Sequence, residues 1–327
     1  MQRIGKAVIG GTLVLALAAP CSALEQGAMS SSDGKTRLSL STGLLNGESG
    51  EYVYDAYGSE SGIVGYKISE LQWDLDNVPM VGLEFTHAVS DRFTFDLAYW
   101  TDADGGDSSM DDYDWLYVGL DWSHWSHHDN TEVRDVSRFD ISGDFVIDRF
   151  KWESTDLYAV LGYRRDHLDW QATGGEGIYS DTNYRDTKVF FPNVPVISYE
   201  QTYQTPYVGL GIRSRRMSGM TNITLDASLR FSDWVKGEDV DVHHLRDLRF
   251  KGEGDGGRWM AFDLSLDFSV SERLDIGIGY SATEYDETKA TTLITDLTDG
   301  SETFYSGDAA GLDHHSSMVS LALGYRF

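Results

Sequence analysis

Two short stretches of the 327-residue chain hold side chains able to do chemistry together: Met110-Asp111-Asp112-Tyr113-Asp114-Trp115 and Asp239-Val240-Asp241-Val242-His243-His244. In extended backbone, residues two apart share a face. Asp112 with Asp114, and Asp241 with His243, are therefore expected to point in pairs toward one side of a strand. An Asp beside a His orients the imidazole and stabilises its protonated form, which makes His243 a candidate general base for water. Two adjacent carboxylates tend to share a proton, because like charges close together do not both ionise cheaply. The bland alternatives are a solvated acidic face or a calcium loop for Asp-x-Asp, and chance for Asp-x-His. The histidine clusters, His124 with His127 and His128, and His314 with His315, bring no clear third or fourth ligand. No metal centre is expected from them.

The elements that must position these residues are read from hydrophobic periodicity. Met260, Phe262, Leu264, Leu266 and Phe268 alternate with Ala261, Asp263, Ser265 and Asp267; after Ser271-Glu272-Arg273 the alternation resumes at Leu274, Ile276, Ile278 and Tyr280. Period 2 of this kind marks a strand, and the short interruption marks a hairpin. A second turn of the same type, Ser90-Asp91-Arg92, precedes Phe93, Phe95, Leu97 and Tyr99. The opposite face is rich in Gly, Ser, Asp and Thr, and the chain ends on Val319, Leu321, Leu323, Tyr325 and Phe327. Such strands suit either a soluble sandwich or a membrane barrel, and the polar inner face with a terminal-Phe strand favours the barrel.

The fold expected is all-β, a transmembrane antiparallel barrel of about ten strands, an even number as bacterial barrels require. The strands are placed near 36–46, 69–89, 93–103, 136–147, 157–173, 197–213, 221–236, 258–270, 274–287 and 315–327. Both termini are then periplasmic, and long outer loops fall at 104–135, 174–196, 237–257 and 288–314. Several strands exceed the roughly 9–11 residues that cross a bilayer, so the barrel extends beyond the outer leaflet. Aromatic residues are expected on the lipid-facing outside, with glycine and small residues inside.

Arg3 and Lys6, the apolar run Ala7 to Ala19 and small residues up to Ala23 form a Sec signal peptide over 1–23, leaving 24–327 as a single domain. The only cysteine, Cys21, leaves with it, so no disulfide staples the chain. Asp+Glu number 53 against 26 Lys+Arg, a formal charge of −27. That balance excludes a nucleic-acid partner, which needs phosphates neutralised by Lys and Arg, and suits cationic partners.

From about Arg37 to Phe327 the chain resembles the omptins, outer-membrane endopeptidases of Gram-negative bacteria. The motifs that carry the resemblance are Gly47 to Tyr54, Leu71-Gln72-Trp73, Met110 to Trp115, Gly174 to Ser180, Pro206 to Leu210 and Ser232 to His243. It implies a ten-stranded barrel with an acidic active-site groove at its extracellular mouth. Asp241 and His243 match the pair that activates water, and Asp112 and Asp114 match the aspartate pair opposite. Glu51 and Asp239 match residues that bind the basic side chain before the scissile bond. The family cuts between two basic residues, but a further acidic position falls on His124 here, with Asp121 nearby. It needs no metal or cofactor, but does require lipopolysaccharide, bound on an outward basic cluster. Of that cluster Tyr163 is kept; the other positions read Arg165, His167, Thr202 and Gly257. Arg164 and Arg165 are expected either to contact lipid phosphate or to snorkel at the interface. Basic peptides or surface proteins are the expected substrates. A non-enzymatic porin or adhesin with an acidic mouth is the alternative, and a phospholipase lacks its Ser-His-Asn set.

Overall fold

The computed structural model describes residues 35–327 apart from 107, 151–153, 219 and 220. The expected signal peptide lies outside the described residues. Fourteen antiparallel strands form one sheet: β1 (Thr36–Asp55), β2 (Tyr66–Ala88), β3 (Phe93–Asp102), β4 (Met110–Asp114), β5 (His124–His128), β6 (Asn130–Phe150), β7 (Thr155–Thr173), β8 (Glu176–Tyr179), β9 (Thr187–Phe190), β10 (Pro195–Ser218), β11 (Thr221–His243), β12 (Leu248–Ser269), β13 (Leu274–Asp296) and β14 (Glu302–Arg326). Ten of them close a ring in the order β1-β2-β3-β6-β7-β10-β11-β12-β13-β14, with β1 paired to both β2 and β14. Closure leaves no unpaired edge in lipid. The first and last strands meet there, with Phe327 N–H donating to Thr36 O at 2.9 Å.

The two Ser-x-Arg turns are built alike. Ser90 Oγ accepts from the backbone N–H of Arg92 and Phe93 at 3.3 and 3.1 Å, and Ser271 Oγ accepts from Arg273 and Leu274 at the same two distances. At this end of the barrel the apolar set of each strand faces outward: Leu40, Leu83, Leu161, Leu210, Leu229, Ile278 and Leu321 are all exposed. Such a ring belongs in hydrocarbon.

Two expectations are corrected. The regions assigned to long outer loops are mostly strand: β11 and β12 run on to His243 and from Leu248, and β13 and β14 to Asp296 and from Glu302. Likewise β4 with β5, and β8 with β9, are hairpins that continue the ladder beyond β3, β6, β7 and β10. Above the lipid the outer face is solvated, so Lys236 and Glu238 replace the apolar outward residues while the backbone pairing persists. The interior is the second correction. It is filled by aromatic rings, with Trp73, Trp170, Trp259, Tyr199, Tyr203, Tyr207 and Tyr285 almost wholly buried. Trp73 and Tyr199 stack at 5.3 Å, Tyr203 and Tyr285 at 4.0 Å. Glycine makes this filling fit: a methyl group on Gly162 or Gly211 would run into the ring of Tyr207 or Tyr158.

Beneath the rings lies a second cavity of about 490 Å³, lined by Arg and Asp side chains such as Arg213, Arg230, Asp226 and Asp263. Between the levels, Asp166 takes Arg164 Nε at 2.6 Å and Arg138 Nε at 2.8 Å. Buried charge of this kind persists only when paired.

Candidate active site

At the end opposite the Ser-x-Arg turns a groove of about 570 Å³ opens to solvent. Strand register brings its parts together. Glu51 on β1 faces Leu71 on β2, which faces Asp112 on β4, so these three residues form one row across the sheet. Asp114 stands one step nearer the rim, opposite Ser69. On the other wall β11 climbs through Asp239, Asp241 and His243, flanked by Tyr199 on β10 and Phe250 on β12. All six residues expected at the site, Glu51, Asp112, Asp114, Asp239, Asp241 and His243, line this single groove.

His243 Nε2 lies 2.6 Å from Asp241 Oδ2. That contact fixes the ring with its Nε2 proton toward the carboxylate and leaves Nδ1 as the nitrogen able to accept a proton. The His243 ring meets the Phe250 ring edge-on at 5.3 Å. Asp241 is 3 % exposed, and its Oδ1 has no partner among the described residues.

The carboxylates crowd one another. Burial pushes Asp112 well above the usual carboxylate range, with the charges of Asp114 and Asp241 adding to it. Ser69 Oγ donates to Asp112 Oδ1 at 3.3 Å and works the other way. Asp114 is raised as well, chiefly by burial. Glu51 is pushed far up by burial and then by Asp241, Asp239 and Asp112. Burial and the charge of Asp241 bring Asp239 up to about 7, with the Gly252 backbone and the Tyr199 hydroxyl opposing. Tyr199 OH donates to Asp239 Oδ2 at 3.3 Å and Gln201 Nε2 donates to Tyr199 OH at 2.8 Å, so the aromatic filling is also the floor of the groove.

Residues with no distinguishing pattern in the sequence complete the site. Phe250 backs His243, Gly252 leaves space for Asp239, and Arg246 reaches the groove from the β11–β12 turn. The last of these lies only a few residues beyond His243, in a hairpin whose tip returns over the site.

The remaining candidate residues lie away from the groove or at its edge. Arg165 points outward and is exposed, and Tyr163 is half-buried with its hydroxyl 3.4 Å from Gln204 Oε1. Arg164 points inward and is held by Asp166, so the expectation that it meets lipid phosphate is corrected: alternation along β7 puts neighbouring residues on opposite faces. His124 pairs across from Asp114, and Asp121 is bound by Arg185 Nη2 at 3.1 Å. His128 and His314 are buried, each ring held by hydrogen bonds on both nitrogens, whereas His127 pairs with Asp111 at 3.1 Å. Among the described residues no group of three or more His, Cys, Asp or Glu is arranged to hold a metal ion.

Known proteins share both the sequence and this architecture. The model of the Omptin family matches residues 32–327. The chain is 31 % identical to the "Plasminogen activator" of Yersinia pestis over 293 residues, covering 89 % of each chain. It is 26 % identical to "Outer membrane protease OmpP" of Escherichia coli, over 96 % of this chain and 98 % of that one. The crystal structure of the outer-membrane protease OmpT of Escherichia coli superposes with a TM-score of 0.82 at 22 % identity, covering 89 % of this chain and 96 % of that chain.

Proposed function

The chain belongs to the omptin family of outer-membrane endopeptidases, and from that premise we propose that it hydrolyses peptide bonds after Arg or Lys with a water activated by His243. The observation that carries this reading is the Asp241–His243 contact at 2.6 Å in a groove shared with Asp112 and Asp114. A water held between the pairs gives its proton to His243 Nδ1 while its oxygen attacks the scissile carbonyl. Asp241 balances the charge that forms on the imidazole. Burial, helped by the charge of Asp114 on Asp112, favours a proton on the Asp112–Asp114 pair, and such a proton can hydrogen-bond the developing oxyanion. His243 then returns its proton to the leaving amine as the C–N bond breaks.

Glu51 and Asp239, deep in the groove, receive the basic side chain before the cut through charge-assisted hydrogen bonds. Basic peptides or proteins at the cell surface are the substrates, and the groove faces the outside. No metal or cofactor is part of the scheme. Lipopolysaccharide, met through the outward Tyr163 and Arg165, is proposed as an activator. It is tested by assaying the purified protein with and without added lipopolysaccharide.

Cells displaying the wild type, His243→Ala and Asp112→Asn, offered a fluorogenic peptide with Arg before the scissile bond, test the chemistry. Each variant should reach the membrane in wild-type amount and lose about 10²–10⁴-fold in kcat/KM, the usual range for general acid–base groups. Normal turnover by His243→Ala would refute the scheme.

A further inference from the structure

The groove is acidic at its inner end and carries both signs at its rim. Glu51, Asp112 and Asp239 are at the inner end, because β1 and β4 carry Val53 and Asp114 beyond them toward the rim and β11 carries His243 beyond Asp239. At the rim Asp55 and Glu60 line the β1–β2 side, whereas the β11–β12 side carries a cation. Arg246, in the turn joining β11 to β12, is the one Lys or Arg lining the groove among the described residues. Its backbone N–H donates to His243 O at 3.2 Å, and its guanidinium lies 5.8 Å from the centre of the Phe250 ring that backs His243. Among the described residues no carboxylate stands within 4.0 Å of it. Its charge nonetheless counteracts the upward push on Asp112 and Asp114. His124, paired across from Asp114 at the top of β5, adds a second basic group there.

A peptide bound in extended form presents successive side chains to opposite sides. If the residue before the scissile bond sends its basic group down to Glu51 and Asp239, the residue after it points toward the rim. We propose that Arg246 is a specificity-determining residue that selects the side chain immediately after the scissile bond, favouring an acidic or uncharged one there over a basic one. This rests on the peptidase reading above and departs from the dibasic preference that the family resemblance implies.

The test uses three quenched peptides, identical except for Glu, Ala or Arg after a common Arg, cleaved by the full-length protein in outer-membrane preparations, with product masses fixing the cut. The wild type should favour Glu over Arg by about fivefold in kcat/KM, near the upper end for one solvent-exposed charge contact. Arg246→Gln, which adds no charge, should level the series. Arg246→Glu should invert it, a swing on the order of 25-fold. A Glu-to-Arg ratio left within twofold of the wild type by both substitutions would overturn the role of Arg246. If the wild type cut none of the three, or if cutting survived His243→Ala, the peptidase reading itself would fall and the proposal with it.

Discussion

Asp239, proposed above to bind the substrate's basic side chain, would do so at the expense of stability. Its folded pKa stands at about 7, whereas an unfolded aspartate titrates near 3.9. Between those two values the folded protein holds a proton that the unfolded chain has released, so stability falls as pH rises through the window. Above about 7 the full cost of burying the charge is present. Asp239→Asn removes that slope: its thermal midpoint should equal the wild type near pH 4 and exceed it at pH 8. Melting both proteins in detergent at the two pH values checks this, and parallel curves would count against a buried titrating Asp239. Binding has the opposite sign, since only the ionised form attracts a cation. KM for an Arg peptide should therefore rise as pH drops below about 7, and the rise should shrink in Asp239→Asn.

At the level of strands and turns, the site depends on backbone that leaves room. A methyl group on Gly252 would strike Asp239 Oδ1, so Gly252→Ala must displace that carboxylate. Lost discrimination between Arg and Ala before the cut, with assembly in the membrane intact, is the expected outcome, on the order of tenfold for one misplaced charged hydrogen bond. Unaltered discrimination would mean that Asp239 does not read the substrate. The same level shows what sequence makes legible. The outward residues of β12 and β13 and both Ser-x-Arg turns are plain from period 2, because lipid demands an apolar face and a short turn demands its serine acceptor. The upper halves of β11 to β14 are hidden, since water outside and mostly acidic, small or hydroxyl residues inside leave no apolar alternation to see. Asp112, Asp114, Asp241 and His243 are legible as i, i+2 pairs, but Arg246 and Phe250 are not: only the hairpin geometry brings the turn back over the groove. A signal for the filled interior does exist in Tyr199, Tyr203 and Tyr207, which share the inward face of β10.

At the largest scale, the barrel formed by the described residues is sealed across its middle. The upper groove and the lower cavity share no lining residue, and the stacked rings and the Arg164–Asp166–Arg138 cluster fill the space between. Purified protein in planar bilayers should show no discrete channel steps, a measurement that addresses the porin alternative directly. Steady ion conductance in the wild type would contradict the sealed interior.

The length of the strands also sets the order in which a visiting peptide meets things. On β11 the last outward aromatic of the lipid belt is Trp234, 63 % exposed, and the groove residues come after it, from Asp239 to His243. At about 3.3 Å per residue on strands tilted by about 40°, they stand roughly 12–23 Å above that ring. Screening at physiological salt acts over about 8 Å. The acids of the groove are thus out of electrostatic range of the lipid head groups, and a cationic peptide diffusing inward encounters the protease's field before the membrane's. Interception ahead of the bilayer is a property of barrel height, and it would be lost in a barrel cut down to the membrane span.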